Sequence, residues 1–113
     1  MHEGICVWTG ASGAKYTYYI YAIPPNFDPN QDGNYIYTKR VENLWQPIYI
    51  GQGDLRDRTL NHHRAVCIAG KGATHVHAQL NADEAARTRQ EADLLANYAQ
   101  AYTPAGCNIK AGG

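Results

Sequence analysis

Two phenols, a guanidinium and an imidazole stand where they can meet: Tyr35, Tyr49, Arg58 and His62. An arginine fork grips an oxyanion such as phosphate through two parallel hydrogen bonds and keeps its charge at any working pH. A phenol beside it can position or accept a proton. As a base it starts weak, because with a pKa of about 10 only about one free tyrosine in a thousand is phenolate at pH 7. Tyr35 would need that value lowered by Arg58, a metal ion or a histidine such as His62. The ordinary reading is two strand tyrosines and a solvated helix arginine, and composition alone does not reject it.

Placing these groups requires a hairpin followed by a helix. In Gly33-Asn34-Tyr35-Ile36-Tyr37, period two sets Tyr35 and Tyr37 on one face and Ile36 on the other. In Ile48-Tyr49-Ile50-Gly51-Gln52-Gly53, Tyr49 opposes Ile48 and Ile50 in the same way. A loop over Lys39 to Trp45 places Tyr35 across from Tyr49 and gathers the isoleucines on the core side. Gly51 then ends the strand and a helix starts near Asp54. Leu55, Arg58 and His62 fall at i, i+3 and i+7, one helix face.

In order and spacing this stretch resembles the GIY-YIG nuclease family. Gly33, Asn34 and Tyr35 match its first motif, Tyr49, Ile50 and Gly51 its second, and Arg58 the arginine of the following helix. His62 matches a position that often carries histidine or tyrosine. Asn34 stands where the family has an aliphatic residue, and the spacer from Gly51 to Leu55 is one residue short of the commonest form.

The 113 residues fit one domain with a modest core. Net charge is zero, so any basic surface that meets nucleic acid must be local. Nine tyrosines against one phenylalanine suit half-wet sites, whether base-stacking surfaces or ordinary sheet faces. Cys6, Cys67 and Cys107 are odd in number and scattered, without zinc spacing. They read as reduced thiols of a cytoplasmic protein. The N-terminus lacks signal-peptide character, and no run reaches membrane-spanning length.

Along the chain, Ile5 to Trp8 reads as a short edge strand and Tyr16 to Ile23 as a strand covered on both faces. Pro24 to Asp32 is turn chemistry. After the helix, Gly70-Lys71-Gly72 marks a turn and Thr74 to Leu80 a strand. Its His75 and His77 share a face. They can bind a metal if His62 or His63 approaches, but ordinary hydrogen bonding is the stronger reading. His75 is the better candidate for a residue supporting the site.

Asn81 to Tyr102 reads as the long helix, with Asn81 as N-cap and Glu84 closing a capping box. Leu94, Leu95, Tyr98 and Tyr102 form its apolar stripe. Glu91 borders that stripe, four residues after Arg87, and on its own reads as half of an exposed ion pair. The family resemblance changes this. Glu91-Ala92-Asp93-Leu94-Leu95, then Pro104 and Asn108, reproduce the order of a glutamate, a leucine-rich turn, a proline and an asparagine. The resemblance runs from about Tyr16 to Asn108 and is to the restriction-endonuclease-like subgroup.

What the resemblance implies is an α+β domain, a small, mainly antiparallel sheet flanked by two helices, that cleaves DNA phosphodiester bonds. Glu91 would hold one divalent ion, Mg2+ or Mn2+, together with waters. Arg58 would bind the phosphate, with Tyr35 as base and Tyr49 as positioner, although the sequence does not separate those two roles. Asn108 would orient groups or substrate, and Gly51 leaves room for close approach. Gly53, before the helix, would add backbone N–H groups near phosphate. Apart from the resemblance, Lys39, Arg40, Arg56 and Arg64 flank the site and are candidates to contact DNA backbone phosphates. DNA is the implied partner, a homodimer is left open and no membrane is involved. The alternative is a non-catalytic nucleic-acid-binding module of the same fold, and beyond it a plain interaction domain.

Overall fold

Alternating apolar residues decide the sheet. The computed structural model describes residues 2–110. Its strands are β1 (Ile5–Thr9), β2 (Lys15–Ala22), β3 (Asp32–Val41), β4 (Leu44–Asp54) and β5 (His75–Leu80). Every pairing is antiparallel and the spatial order is β1-β2-β5-β3-β4. The helices are α1 (Leu55–Leu60), α2 (Ala65–Gly70) and α3 (Glu84–Asn97), followed by a 3-10 turn over Ala99–Ala101. The class is α+β, as expected, with three helices where two were expected.

Both faces of the sheet are covered. On one, Ile20, His77, Ile36 and Ile50 form a row across four strands. Trp8, Tyr18, Leu94 and Ala101 pack with Ile36 and Ile50 in that core. On the other face, Tyr19, Ala78, Tyr35 and Gly51 make one row, and Tyr21, Val76, Tyr37 and Tyr49 the next. Leu55, Phe27 and Ile68 close over this second core.

The β3–β4 hairpin departs from the expected one. Its loop is only Glu42 and Asn43, both at positive φ, and Val41 pairs with Leu44. Such a two-residue turn suits the twist of the flanking strands, so pairing runs on to the tip. Tyr49 therefore lies opposite Tyr37, and Tyr35 opposite Gly51. The register shifts after Tyr37, where Thr38 pairs with Pro47, leaving Ile48 as a bulge residue. Ile48 consequently joins the tyrosine-face core and not that of Ile36 and Ile50. Pro47 is tolerated because β4 is an edge strand. Gly51 lies inside β4, which runs on to Asp54.

Helix starts and breaks also differ. Asp54 caps α1, accepting the N–H of Asp57 at 2.9 Å. The helix stops at Leu60, and α2 begins only at Ala65. Between them the Arg64 N–H donates to His62 Nδ1 at 2.9 Å, a local bond that competes with helix continuation. On α3 the cap is Asp83, which accepts from Ala85 and Ala86, while Asn81 accepts from Asp83 in a turn before it. The helix breaks at Tyr98, whose hydroxyl accepts the Thr9 N–H at 3.2 Å.

Cys67 and Cys107 form a disulfide and Cys6 is free. That corrects the expectation of three reduced thiols: folding brings two distant cysteines together where α2 meets the C-terminal segment. No described helix is long and apolar enough to cross a membrane.

Candidate active site

Two glycines on β4 make room for the site. A Cβ at Gly51 would lie 2.6 Å from the Tyr35 hydroxyl and 2.9 Å from the Tyr49 ring. A Cβ at Gly53 would lie 2.6 Å from Arg58 Nε, and Gly53 has φ +140°, which a side chain would also resist. The bare β4 backbone is thus the floor on which the phenols and the guanidinium rest. Tyr35 and Tyr49 stack with planes 16° apart and centroids 6.1 Å apart.

His62 holds this cluster from the side. It lies past the end of α1, yet it reaches Tyr35, its Nε2 being 2.8 Å from the hydroxyl oxygen. The tautomer follows from geometry. Nδ1 accepts the Arg64 N–H, so a neutral ring carries its proton on Nε2 and donates it to Tyr35. The hydroxyl proton of Tyr35 is left free to donate elsewhere. Burial, with the charges of His63, Arg58 and Arg64, lowers the His62 pKa to about 4, so the ring is neutral at pH 7.

Tyr35 is 1% exposed, and burial pushes its pKa up, against the pull of Arg58. Burial raises Tyr49 too, with Arg58 and Arg64 opposing. In this state both are neutral phenols. Glu91 is half-buried. Burial raises its pKa, against the pull of Arg58. The expected Glu91–Arg87 pair is absent. Arg87 turns inward, donating from Nε to Gln52 Oε1 at 3.0 Å and from Nη1 to the Asn81 carbonyl at 2.9 Å, with Asp32 and Glu84 as its acidic neighbours. Among the described residues Glu91 makes no ion pair.

Tyr49, Glu91 and Asn108 line one cavity of about 310 Å³ with His63, Arg64, Leu95, Tyr102 and Ile109. Asn108 works on the backbone. Its Oδ1 accepts the Ile50 N–H at 2.8 Å and its Nδ2 donates to the Ile50 carbonyl at 2.9 Å. It therefore pairs with edge strand β4 as a short extra strand would, fixing the residues on either side of Ile50. It is a positioning residue.

The sequence-derived site divides accordingly. Tyr49, Arg64, Glu91 and Asn108 line one cavity. Tyr35 adjoins it through Gly51 and His62, Arg58 lies over Gly53, and His62 also borders a separate cleft with Tyr37 and Ala65. Lys39, Arg40 and Arg56 do not line the first cavity. Lys39 and Arg40 lie toward the hairpin tip, where Arg40 sits 4.6 Å above the Trp45 ring. Arg56 borders clefts formed with residues 25–30, away from Glu91. The six-residue α1 offers no anion site, since Asp54 occupies its first turn. His75 and His77 face the other core, where Trp45 touches both rings, so neither His62 nor His63 can join them. His75 pairs with Glu3, and His77 accepts from Trp8 at 3.0 Å. Sequence reasoning missed His63 and Tyr102 as cavity walls. Their only signals were adjacency to His62 and one more tyrosine on an apolar stripe.

No protein-family model matches the chain, and no curated protein or solved structure matches it.

Proposed function

We propose that this chain is a metal-dependent endonuclease of the GIY-YIG kind, hydrolysing DNA phosphodiester bonds. One observation carries the reading: Tyr35, Tyr49 and Arg58 rest on a β4 backbone cleared by Gly51 and Gly53, and an ion-pair-free Glu91 of α3 shares a cavity with Tyr49. A half-buried carboxylate with no protein cation bonded to it fits one divalent ion that keeps most of its waters, as magnesium does. When bound, such an ion would supply positive charge at the phosphate and acidify its waters.

The chain's own groups do the rest. Arg58, exposed and lying over Gly53, grips the phosphate and stabilises the charge that grows in the transition state. Tyr35, buried with its oxygen receiving the His62 proton, acts from behind as a positioner of Tyr49. It becomes a base only after losing its own hydroxyl proton. Tyr49 shares the wall and sits nearer to Glu91 and Arg64. Asn108 keeps the β4 floor in register.

DNA is the partner on this reading. No second copy is required, because every group comes from one chain. With Cys67 and Cys107 bonded, the cysteines no longer point to a reducing cytoplasm. A second reading, a binding-only module of the same fold, is favoured by the burial that keeps both phenols protonated.

Nicking of supercoiled plasmid with magnesium or manganese separates the two. The wild type should nick, and Arg58→Ala should be slower by roughly a hundredfold. Glu91→Gln, similar in size but uncharged, should lose nicking while keeping DNA affinity. Equal nicking by Glu91→Gln across a range of magnesium would show that Glu91 is a surface residue.

A further inference from the structure

Arg64 stands on the same cavity as Glu91, apart from Arg58. Its Nε donates to the Cys107 carbonyl at 2.9 Å, and Cys107 is bonded to Cys67 on α2. The guanidinium is therefore anchored by one nitrogen, and its two Nη groups make no ion pair among the described residues. Arg87, by contrast, faces Asp32 and Glu84. Tyr49 lines the cavity beside Arg64 and Glu91. Arg64 lines the cavity of Tyr49 and Glu91 and is fixed to the C-terminal segment, while Arg58 lies over Gly53 on β4.

Resting on the nuclease reading above, we propose that Arg64 is the binding site for the phosphate next to the scissile one. His63 Nε2, 3.5 Å from the Tyr49 hydroxyl, borders the same spot and offers a second polar contact. Tyr102, Leu95 and Ile109 make the wall against which the intervening sugar or base rests. Arg58 and Arg64 then hold two successive phosphates of one strand. The substrate class narrows from any phosphodiester to a polynucleotide strand with a charged linkage on a defined side of the cut. The preanchored fork loses little freedom on binding, which favours a specific contact over a diffuse one.

The test is a cleavage series on one oligonucleotide, with each linkage flanking the cut replaced in turn by an uncharged methylphosphonate. Cleavage is compared for the wild type, Arg64→Gln and Arg58→Ala. For the wild type, one flanking linkage should matter, its neutralisation lowering kcat/KM on the order of tenfold, as for loss of a charge-assisted hydrogen bond. Arg64→Gln should show that loss on the unmodified strand and none further on the modified one. Arg58→Ala should remain sensitive to it. A wild type indifferent to every flanking linkage overturns the proposal without needing any variant to fold. So does an Arg64→Gln protein as sensitive as the wild type. If the wild type cleaves no unmodified strand with magnesium or manganese, the nuclease reading itself fails.

Discussion

Gly51 is the residue at which one added methyl group tests the candidate site most directly. Its missing Cβ is the space into which the Tyr35 hydroxyl and the Tyr49 ring lean. Gly51→Ala must push both rings aside, because the β4 backbone is pinned by Asn108 one residue away. Overpacking of this kind costs about 1–3 kcal/mol. Displacing a positioning group by about an ångström costs roughly a hundredfold in rate. The expected outcome is a folded protein with a slightly lower Tm and nicking near the detection limit. Gly33→Ala differs, because its Cβ would strike the Gln79 backbone and the loss there should be one of folding. Nicking by Gly51→Ala at the wild-type rate would mean that the phenols take no part. At this scale the sequence was informative for residues whose meaning is local. That Tyr35 and Tyr49 share a sheet face was legible from period two, although Tyr49 lies opposite Tyr37. Glu91 was not, since a helix glutamate four residues from an arginine reads as a solvated pair until Arg87 is seen to turn inward toward Gln52.

At the scale of elements, the C-terminal segment is held to the sheet by the Asn108 amide on Ile50 and the Cys107 N–H on the Ile48 carbonyl, and to the α2 region by the Cys67–Cys107 bond and Arg64. The disulfide closes a sequence separation of 40, and a crosslink of that span contributes about 4 kcal/mol by constraining the unfolded chain. Denaturant unfolding with and without reductant should show a loss approaching that size, and Cys67→Ser should reproduce it. An unchanged midpoint would mean that the bond contributes nothing. Which elements form was largely readable, because β2, β3, β4 and β5 carry apolar alternation and α3 an apolar stripe. How they join was not. The Ile48 bulge adds one residue to β4 and turns that side chain to the other core, which no period-two count contains. The break between α1 and α2 hangs on the Arg64 N–H choosing a histidine nitrogen over a helical carbonyl. The disulfide depends on where α2 ends up, which spacing does not encode.

Over the whole molecule, buried titratable groups set the pH range of the fold at both ends. On the acid side His62 and His77 are held neutral, at about 4 and about 3 against an ordinary 6.5. Depressed values favour the unfolded state once protons bind there. Their contribution is therefore complete above about pH 6.5 and is lost as pH falls toward 4 and 3. His77→Gln keeps an acceptor for Trp8 and should make that acid loss shallower, read as denaturant midpoints between pH 7 and 4. On the alkaline side the fold encloses Tyr18, Tyr35 and Tyr37, at 0%, 1% and 6% exposure. Burial raises all three phenols, Tyr37 to about 12 and the other two beyond the range in which proteins stay folded. The sign is opposite to that of the histidines. Stability is unaffected below the unfolded value of about 10 and falls above it, because the unfolded chain then sheds protons that the folded one retains. Two wholly buried phenols give a slope of about 3 kcal/mol per pH unit, and Tyr37 adds to it up to its own pKa. A fold stable by about 5–15 kcal/mol should therefore unfold within a few pH units of 10. Tyr18 offers the clean test, since it lies on the α3 side of the sheet, away from Tyr35 and Arg58, and gives its hydroxyl proton to Gln90 at 3.2 Å. Tyr18→Phe removes one phenol and one hydrogen bond, costing about 1 kcal/mol at pH 7. Above pH 10 its stability should decline less steeply, by about 1.4 kcal/mol per pH unit. The curves of the two proteins should converge and cross as the pH rises. Parallel curves would mean that the Tyr18 hydroxyl reaches solvent and that the packing of α3 over the sheet is looser than described.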